Sequence, residues 1–156
     1  MKSTIIPAVA AAISLALGAV APASAMSKSE YGFVMKKIEF RYKIAIKQCD
    51  RLLANAKDIC MAEAKGKANV AIAELAAKKH PGRGARYDVH IARSEAVYAV
   101  AREKCDDLAG RANAACVKET EAARTSARNE AWTKVKHSKA HRTVKEKSAL
   151  ASTQTR

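Results

Sequence analysis

The stretch YKIAIKQCDRLLANAKDICMAE, residues 42–63, is the strongest clue to the fold, because it returns 56 residues later as YAVAREKCDDLAGRANAACVKE, residues 98–119. Eight positions are identical, and both copies contain the frame C-D-x-L-x(7)-C. The two frames hold all four cysteines of the chain, which are Cys49, Cys60, Cys105 and Cys116. A repeat that carries every cysteine predicts an architectural unit built twice.

The first 25 residues have the features of a secretory signal peptide. Lys2 precedes an apolar run over residues 5–20, and Ala-Ser-Ala at 23–25 is a small-residue cleavage site. The run is shorter than the roughly 20 residues that a membrane-spanning helix needs. We therefore expect cleavage near Ala25 and a periplasmic or secreted chain with no transmembrane span.

Export changes the interpretation of the cysteines. In an oxidising compartment, four cysteines predict two disulfide bonds. The ten-residue spacing inside each frame does not match the short spacing of structural zinc sites. The C-x-x-C pair of a thioredoxin-like redox centre does not occur in the sequence.

The chain from residue 27 to 79 is rich in Ala, Lys, Leu, Glu and Arg, which are good helix formers. Its apolar residues recur at steps of three and four, as on one face of an α-helix. The segment His-Pro-Gly-Arg-Gly at 80–84 breaks this pattern, and the pattern then resumes. We expect an all-α domain over residues 26–136, with repeats at about 28–80 and 84–136.

Two arrangements satisfy the cysteine spacing. Residues 11 apart on one straight helix lie about 16 Å apart, whereas the Cα atoms of a disulfide lie about 5.5 Å apart. Each frame is then either a turn, which gives four helices in an up-down bundle, or part of a long two-helix antiparallel hairpin that reverses only near Pro81. In the hairpin, Cys60 lies opposite Cys105 and Cys49 lies opposite Cys116. The unbroken apolar pattern over 49–60 favours the hairpin, while Asn55 and Gly110 near the frame centres favour turns; spacing alone does not choose.

Charge is the clearest binding-type feature. The formal net charge is +14, which predicts attraction to anionic surfaces such as lipid head groups, anionic glycans or nucleic acid. Residues 137–156 are basic and polar, and we expect a disordered tail there. The candidate polyanion-binding residues lie in and just before this tail, and they are Lys134, Lys136, Lys139, Arg142, Lys145 and Lys147. The tail has no interleaved aromatic residues to stack on bases.

Other side chains have simpler explanations than chemistry. Each frame carries a carboxylate after its cysteines, and turn capping or surface ion pairs explain these residues, which are Asp50, Glu63, Asp106 and Glu119. His137 and His141 have helical spacing but no third metal ligand. Tyr42 and Tyr98 are expected to pack on the helix interface and to seat the disulfides. The sequence has no P-loop, GxGxxG, HExxH or GxSxG motif. We predict a protein that is not an enzyme and binds no cofactor, metal or specific small molecule.

The duplicated frame resembles a group of small, exported, Ala/Lys-rich proteobacterial proteins that are labelled cell-envelope biogenesis or TolA-like proteins. The resemblance covers roughly residues 30–130. In that group a Gly-Asn pair in the middle of the frame implies a local turn; Gly110 keeps the glycine, and Asn55 keeps the asparagine of the other copy. The resemblance thus implies the local pairs Cys49–Cys60 and Cys105–Cys116, and a structural or interaction role with an envelope component.

Overall fold

The computed structural model describes the backbone of residues 26–153 and the side chains of residues 26–136. Four α-helices follow one another: α1 Lys28–Cys49, α2 Ala54–Lys79, α3 Arg83–Cys105 and α4 Gly110–Thr153. Disulfides join Cys49 to Cys60 and Cys105 to Cys116. The predicted up-down arrangement of four helices with local pairs is confirmed, and the long two-helix alternative is wrong. The predicted signal peptide, residues 1–25, lies outside the described residues.

The start of α1 is fixed by a capping box. The backbone N–H of Glu30 donates to the hydroxyl of Ser27 at 3.2 Å, and the backbone N–H of Ser27 donates to the Glu30 carboxylate at 2.8 Å. Each side chain therefore satisfies a backbone N–H that the helix leaves unpaired. The Glu30 carboxylate accepts hydrogen bonds from the backbone N–H of Ser27 and from its hydroxyl. The backbone bond, and to a smaller extent the hydroxyl bond, stabilises the charged carboxylate and lowers the pKa of Glu30.

The two cysteine frames turn in the same way. Ala54 begins α2 with φ +48°, and Gly110 begins α4 with φ +56°. The left-handed region is open to glycine, but it crowds the Cβ of any other residue. The turn residue of the first frame is therefore Ala54, and Asn55 has a different role, described below.

The helices form an open row. Within residues 26–153, α1 packs on α2, α2 on α3 and α3 on α4, and no other pair of helices is in contact. A closed bundle would bring α1 beside α4, which does not happen here. The row is one helix thick, so α2 and α3 have neighbours on two sides, while α1 and α4 each have an outer side without a neighbour.

Few side chains are fully enclosed in such a layer. The buried apolar residues of the described part are Cys49, Ala64, Leu75, Cys105, Ala131 and Val135. Most of them are small, so the helices approach closely through alanine and cysteine. A thin core of this kind gives little hydrophobic stabilisation per residue, which makes covalent cross-links important.

The last helix runs past the predicted helical domain. Its backbone continues to Thr153, through most of the segment 137–156 for which the sequence predicts a disordered tail. Lys, Ala and Arg recur there, and their propensity favours continued helix. Side chains beyond residue 136 lie outside the described part, and disorder there stays a prediction. Among the helices described, none combines the length and the apolar character needed to cross a bilayer.

Candidate interaction surfaces

The two disulfides hold one end of each helical hairpin. The Cα atoms are 5.5 Å apart in the Cys49–Cys60 pair and 5.6 Å apart in the Cys105–Cys116 pair. Cys49 and Cys105 are completely buried. All four cysteines are bonded, so none is available as a thiol. These bonds have a structural role, and two disulfides are typical of a protein in an oxidising compartment.

Tyrosines close the opposite end of each hairpin. The ammonium of Lys79 lies 4.2 Å from the ring centre of Tyr31, which joins the end of α2 to the start of α1. Tyr87, 56 residues after Tyr31, packs edge-on against Trp132 with ring centres 5.8 Å apart. Each hairpin is therefore fastened at both ends, by a disulfide and by an aromatic contact.

Two asparagine amides tie the turns to the end of α3. Asn55 Nδ2 donates to the carbonyl of Glu103 at 2.8 Å, and Asn113 Nδ2 donates to the carbonyl of Cys105 at 2.8 Å. The last carbonyls of a helix lack the usual i+4 partner. The carbonyls of Glu103 and Cys105 accept the backbone N–H of Asp106 and Leu108, and the asparagine amides give each a second hydrogen bond. Asn55 thus links the first hairpin to the second across 48 residues. A turn residue was expected at this position, and the sequence gives no sign of the longer link.

The frame carboxylates form surface ion pairs, as one of the two sequence interpretations proposed. Asp50 pairs with Lys57 at 2.9 Å, Glu63 with Lys67 at 3.5 Å and Asp106 with Arg102 at 2.6 Å; Glu119 is in no described ion pair. The hydrogen bond that Arg102 donates to the Asp106 carboxylate raises the pKa of Arg102. These pairs are substantially exposed, so each contributes little stability.

The contact between α2 and α3 depends on a glycine. A Cβ added to Gly66 would lie 2.8 Å from the Cβ of Ala96, so the two helices approach where neither has a bulky side chain. Grooves flank this contact on both faces of the layer, with volumes of about 670 Å³ and 530 Å³. The larger groove is lined by both frame tyrosines, Tyr42 from α1 and Tyr98 from α3.

Ion pairs join the two helices of the second hairpin. Glu95 on α3 pairs with Arg124 of α4 at 2.7 Å and with Arg128 of α4 at 3.0 Å. Arg124 also lies over the ring of Tyr98, 4.6 Å from its centre, and its hydrogen bond to Glu95 raises its pKa. Tyr98 therefore packs at a helix interface as predicted.

The cations of α1 differ from those of α4, because among the described side chains none of them takes part in an ion pair; these are Lys28, Lys36, Lys37, Arg41, Lys43 and Lys47.

Large apolar side chains are exposed on the layer. α1 carries Phe33 and Phe40, which are 71% and 64% exposed, and the first turn carries Leu53, which is 84% exposed. Val97 on α3 and Trp132 on α4 are 72% and 49% exposed. Several such residues on one small layer are typical of a surface that binds something. Sequence reasoning missed the α1 residues, although their spacing opposite the α2-facing positions was a readable signal.

The predicted polyanion-binding residues are only partly described. Lys134 pairs with Glu130 at 3.3 Å, and the ammonium of Lys136 lies 5.4 Å from the Trp132 ring centre. The side chains of the other four lie outside the described part, as do those of His137 and His141. Over the side chains of residues 26–136, no group of three or more His, Cys, Asp or Glu residues could hold a metal ion.

Comparison of the chain with protein-family models, with curated proteins and with solved structures finds no match. The resemblance to exported envelope proteins therefore stays a prediction from the sequence frame.

Proposed function

We propose that the protein is a non-enzymatic interaction module of the cell envelope, in the periplasm or secreted after removal of residues 1–25. The observation that carries this proposal is the open row of helices. A chain that folds only to enclose a core would bury Phe33, Phe40 and Val97, but this one leaves them on the surface. The disulfides keep the layer in shape without a thick core.

Two further observations support the proposal. The frames supply bonds and turns instead of a reactive thiol, because every cysteine is in a disulfide. Their four carboxylates are exposed, and three of them are in surface ion pairs, whereas a general acid or base would need an enclosed site. The residues that the sequence marks most strongly therefore shape the protein.

Fractionation and cross-linking test this function. The exported protein should sediment with envelope material at low salt, and cross-linking should recover it joined to envelope components. The same protein after reduction of its disulfides is the matched control, since it keeps the amino-acid composition and loses only the two cross-links. Recovery of the oxidised protein free of all envelope material, together with an enzymatic activity, would contradict the proposal.

A second candidate function is polyanion binding through the basic segment. It is favoured by the run of lysines and arginines from Lys134 onward, opposed in residues 133–156 only by Glu146. Binding of this type weakens steeply as salt rises. Deletion of residues 134–156 should lower affinity for heparin and for nucleic acid and reduce the salt dependence. An unchanged salt dependence in the deletion variant would exclude this segment as the binding site.

A further inference from the structure

The outer face of α1 is opposite the face that packs on α2. The α2-facing side includes Ile38, Tyr42 and Ala45, which line one groove together with Ala64 and Ala68 of α2. At about 100° per residue, positions two or nine residues from Tyr42 lie roughly 160–180° around the helix. Those positions hold Phe40 and Ile44, two residues away on either side, and Phe33, nine residues away. We call these three residues the outer stripe.

Cations border the outer stripe. Lys36, Lys37 and Lys47 fall within about 60° of its centre at 100° per residue. All three are exposed, and within the described part of the chain no carboxylate pairs with them. Within α1, Lys28–Cys49, the only acid within about 60° of the stripe centre is Glu30, which is engaged in the capping box. The face is therefore an apolar stripe between unpaired ammonium groups.

The positions of α3 that correspond to the outer stripe face a neighbouring helix, whereas the outer stripe of α1 does not. The residues 56 positions after the stripe are Val89, Ala96 and Val100. They lie on the side of α3 that meets α2, and Ala96 is the residue at the Gly66 contact. α1 has larger side chains at these positions and no helix to cover them. The outer side of α4 is polar instead, with Thr125, Asn129 and Thr133, as expected of an edge that faces water.

We infer that the outer stripe of α1 docks on an anionic phospholipid surface, with the stripe in the interfacial region and Lys36, Lys37 and Lys47 against the head groups. An apolar face bordered by lysines is the pattern of helices that lie in the plane of a membrane interface. Charge complementarity selects this occupant over a second copy, because pairing two α1 edges would bring two sets of unpaired ammonium groups together. The inference rests on the proposed envelope function and identifies its partner. It places the layer edge-on, with α4 farthest from the lipid.

Vesicle binding tests the face directly. The probe is vesicles of phosphatidylglycerol with phosphatidylcholine, compared with phosphatidylcholine alone, and the protein is used as purified after export. Phe33, Phe40 and Ile44 replaced together by Gln should lower the partition coefficient at least about tenfold, since each side chain loses its apolar burial. The control is Ile72→Gln, which removes an exposed apolar residue from α2 and should leave binding unchanged. Far-UV circular dichroism should show the same helix content in all forms.

The lysines are tested with a charge-matched pair of variants. Replacing Lys36, Lys37 and Lys47 by Gln should weaken binding to the anionic vesicles at least about tenfold. Replacing Lys78, Lys104 and Lys118 by Gln removes the same charge elsewhere on exposed, unpaired positions and should have a much smaller effect. Equal losses in the two variants would mean that total charge, and not this face, drives binding, and would overturn the inference.

A fluorophore in the stripe separates the remaining outcomes. In a Trp132→Phe background, the emission of Phe40→Trp should shift to the blue when anionic vesicles are added, while the emission of Ile72→Trp should not. Emission already blue-shifted without vesicles and unchanged by them would mean that a second copy covers the stripe, or that residues 1–25 are retained and cover it. Either result overturns the inference; light scattering identifies the second copy, and the mass of the purified chain identifies retained residues. Stripe variants that lose vesicle binding but still cross-link to envelope proteins would leave the envelope function standing with an additional partner. Stripe variants that bind vesicles normally would refute the docking face alone.

Discussion

The two hairpins are fastened in the same way at their ends, but they differ in the ion pairs along their length. Both have a disulfide at one end and a tyrosine contact at the other, but the second hairpin also has ion pairs from Glu95 to Arg124 and Arg128. The first has no ion pair between its helices beyond Asp50–Lys57 beside the turn, among the side chains described. The cysteine frame thus cross-links both hairpins. The residues between the disulfide and the aromatic contact decide whether ion pairs also hold the two helices together along their length. α1 depends on its disulfide more than α4 does.

Removal of the disulfides should give the largest effects. Cys49 and Cys60 replaced by Ala, or Cys105 and Cys116 replaced by Ala, should each lower the free energy of unfolding by about 2–4 kcal/mol, because each bond closes a short loop in the unfolded chain. Urea unfolding measures this loss. Hydrogen exchange should show which helix is affected. Without Cys49–Cys60, α1 should lose protection before the other helices, because it contacts only α2. Equal loss of protection over all four helices would contradict the difference between the hairpins.

Gly66 tests whether the hairpins meet through a close helix contact. Gly66→Ala should destabilise the protein by about 1–3 kcal/mol, because its Cβ would lie 2.8 Å from that of Ala96 and the helices would have to separate. The matched control is Gly32→Ala on α1, where an added Cβ meets nothing within 4 Å. Helix propensity there predicts a gain of about 0.5–1 kcal/mol. Thermal unfolding of the two variants should therefore shift in opposite directions, and a shift in the same direction would refute the close contact.

Ala54 and Gly110 give a reciprocal exchange between the two turns. Ala54→Gly should stabilise by roughly 0.5–1 kcal/mol, since φ +48° strains a residue with a Cβ. Gly110→Ala should destabilise by about 1 kcal/mol for the same reason, although space around it is open. Chemical unfolding of both variants measures the exchange. Two shifts of the same sign would show that the turns differ in more than this residue.

Sequence reasoning reached the helices and their cross-links, because these depend on local signals. Alanine-rich periodicity and the break at Pro81 gave the helical segments, although the periodicity over residues 49–60 favoured the two-helix hairpin. The resemblance of the frame implied the local turns, and with them four helices and the correct cysteine pairs. The contacts of Asn55 with Glu103 and of Gly66 with Ala96 join residues 48 and 30 positions apart. They depend on how two helices are placed in space, which no local pattern records. The spacing of the apolar residues on the outer side of α1 was readable in the sequence, but their exposure was not, because exposure of Phe40 follows from the absence of a neighbouring helix.

The smallest expected effect concerns the first turn of α1, where the first hairpin has a capping box at its start. Hydrogen bonds from Ser27 lower the pKa of Glu30, so the carboxylate binds its proton less readily in the folded protein than in the unfolded chain. Its stabilising effect is complete above the ordinary glutamate pKa of about 4.3, and it is lost as the pH falls through the lowered folded-state pKa. Exchange protection of the first turn of α1 should therefore fall with acidification in this range. In Glu30→Gln the acid-dependent part should disappear, because the amide does not titrate. Glu39→Gln, an exposed glutamate of the same helix in no described ion pair, should keep the wild-type response. If Glu30→Gln kept that response as well, the pH dependence would belong to other carboxylates and the start of α1 would be held by Ser27 alone.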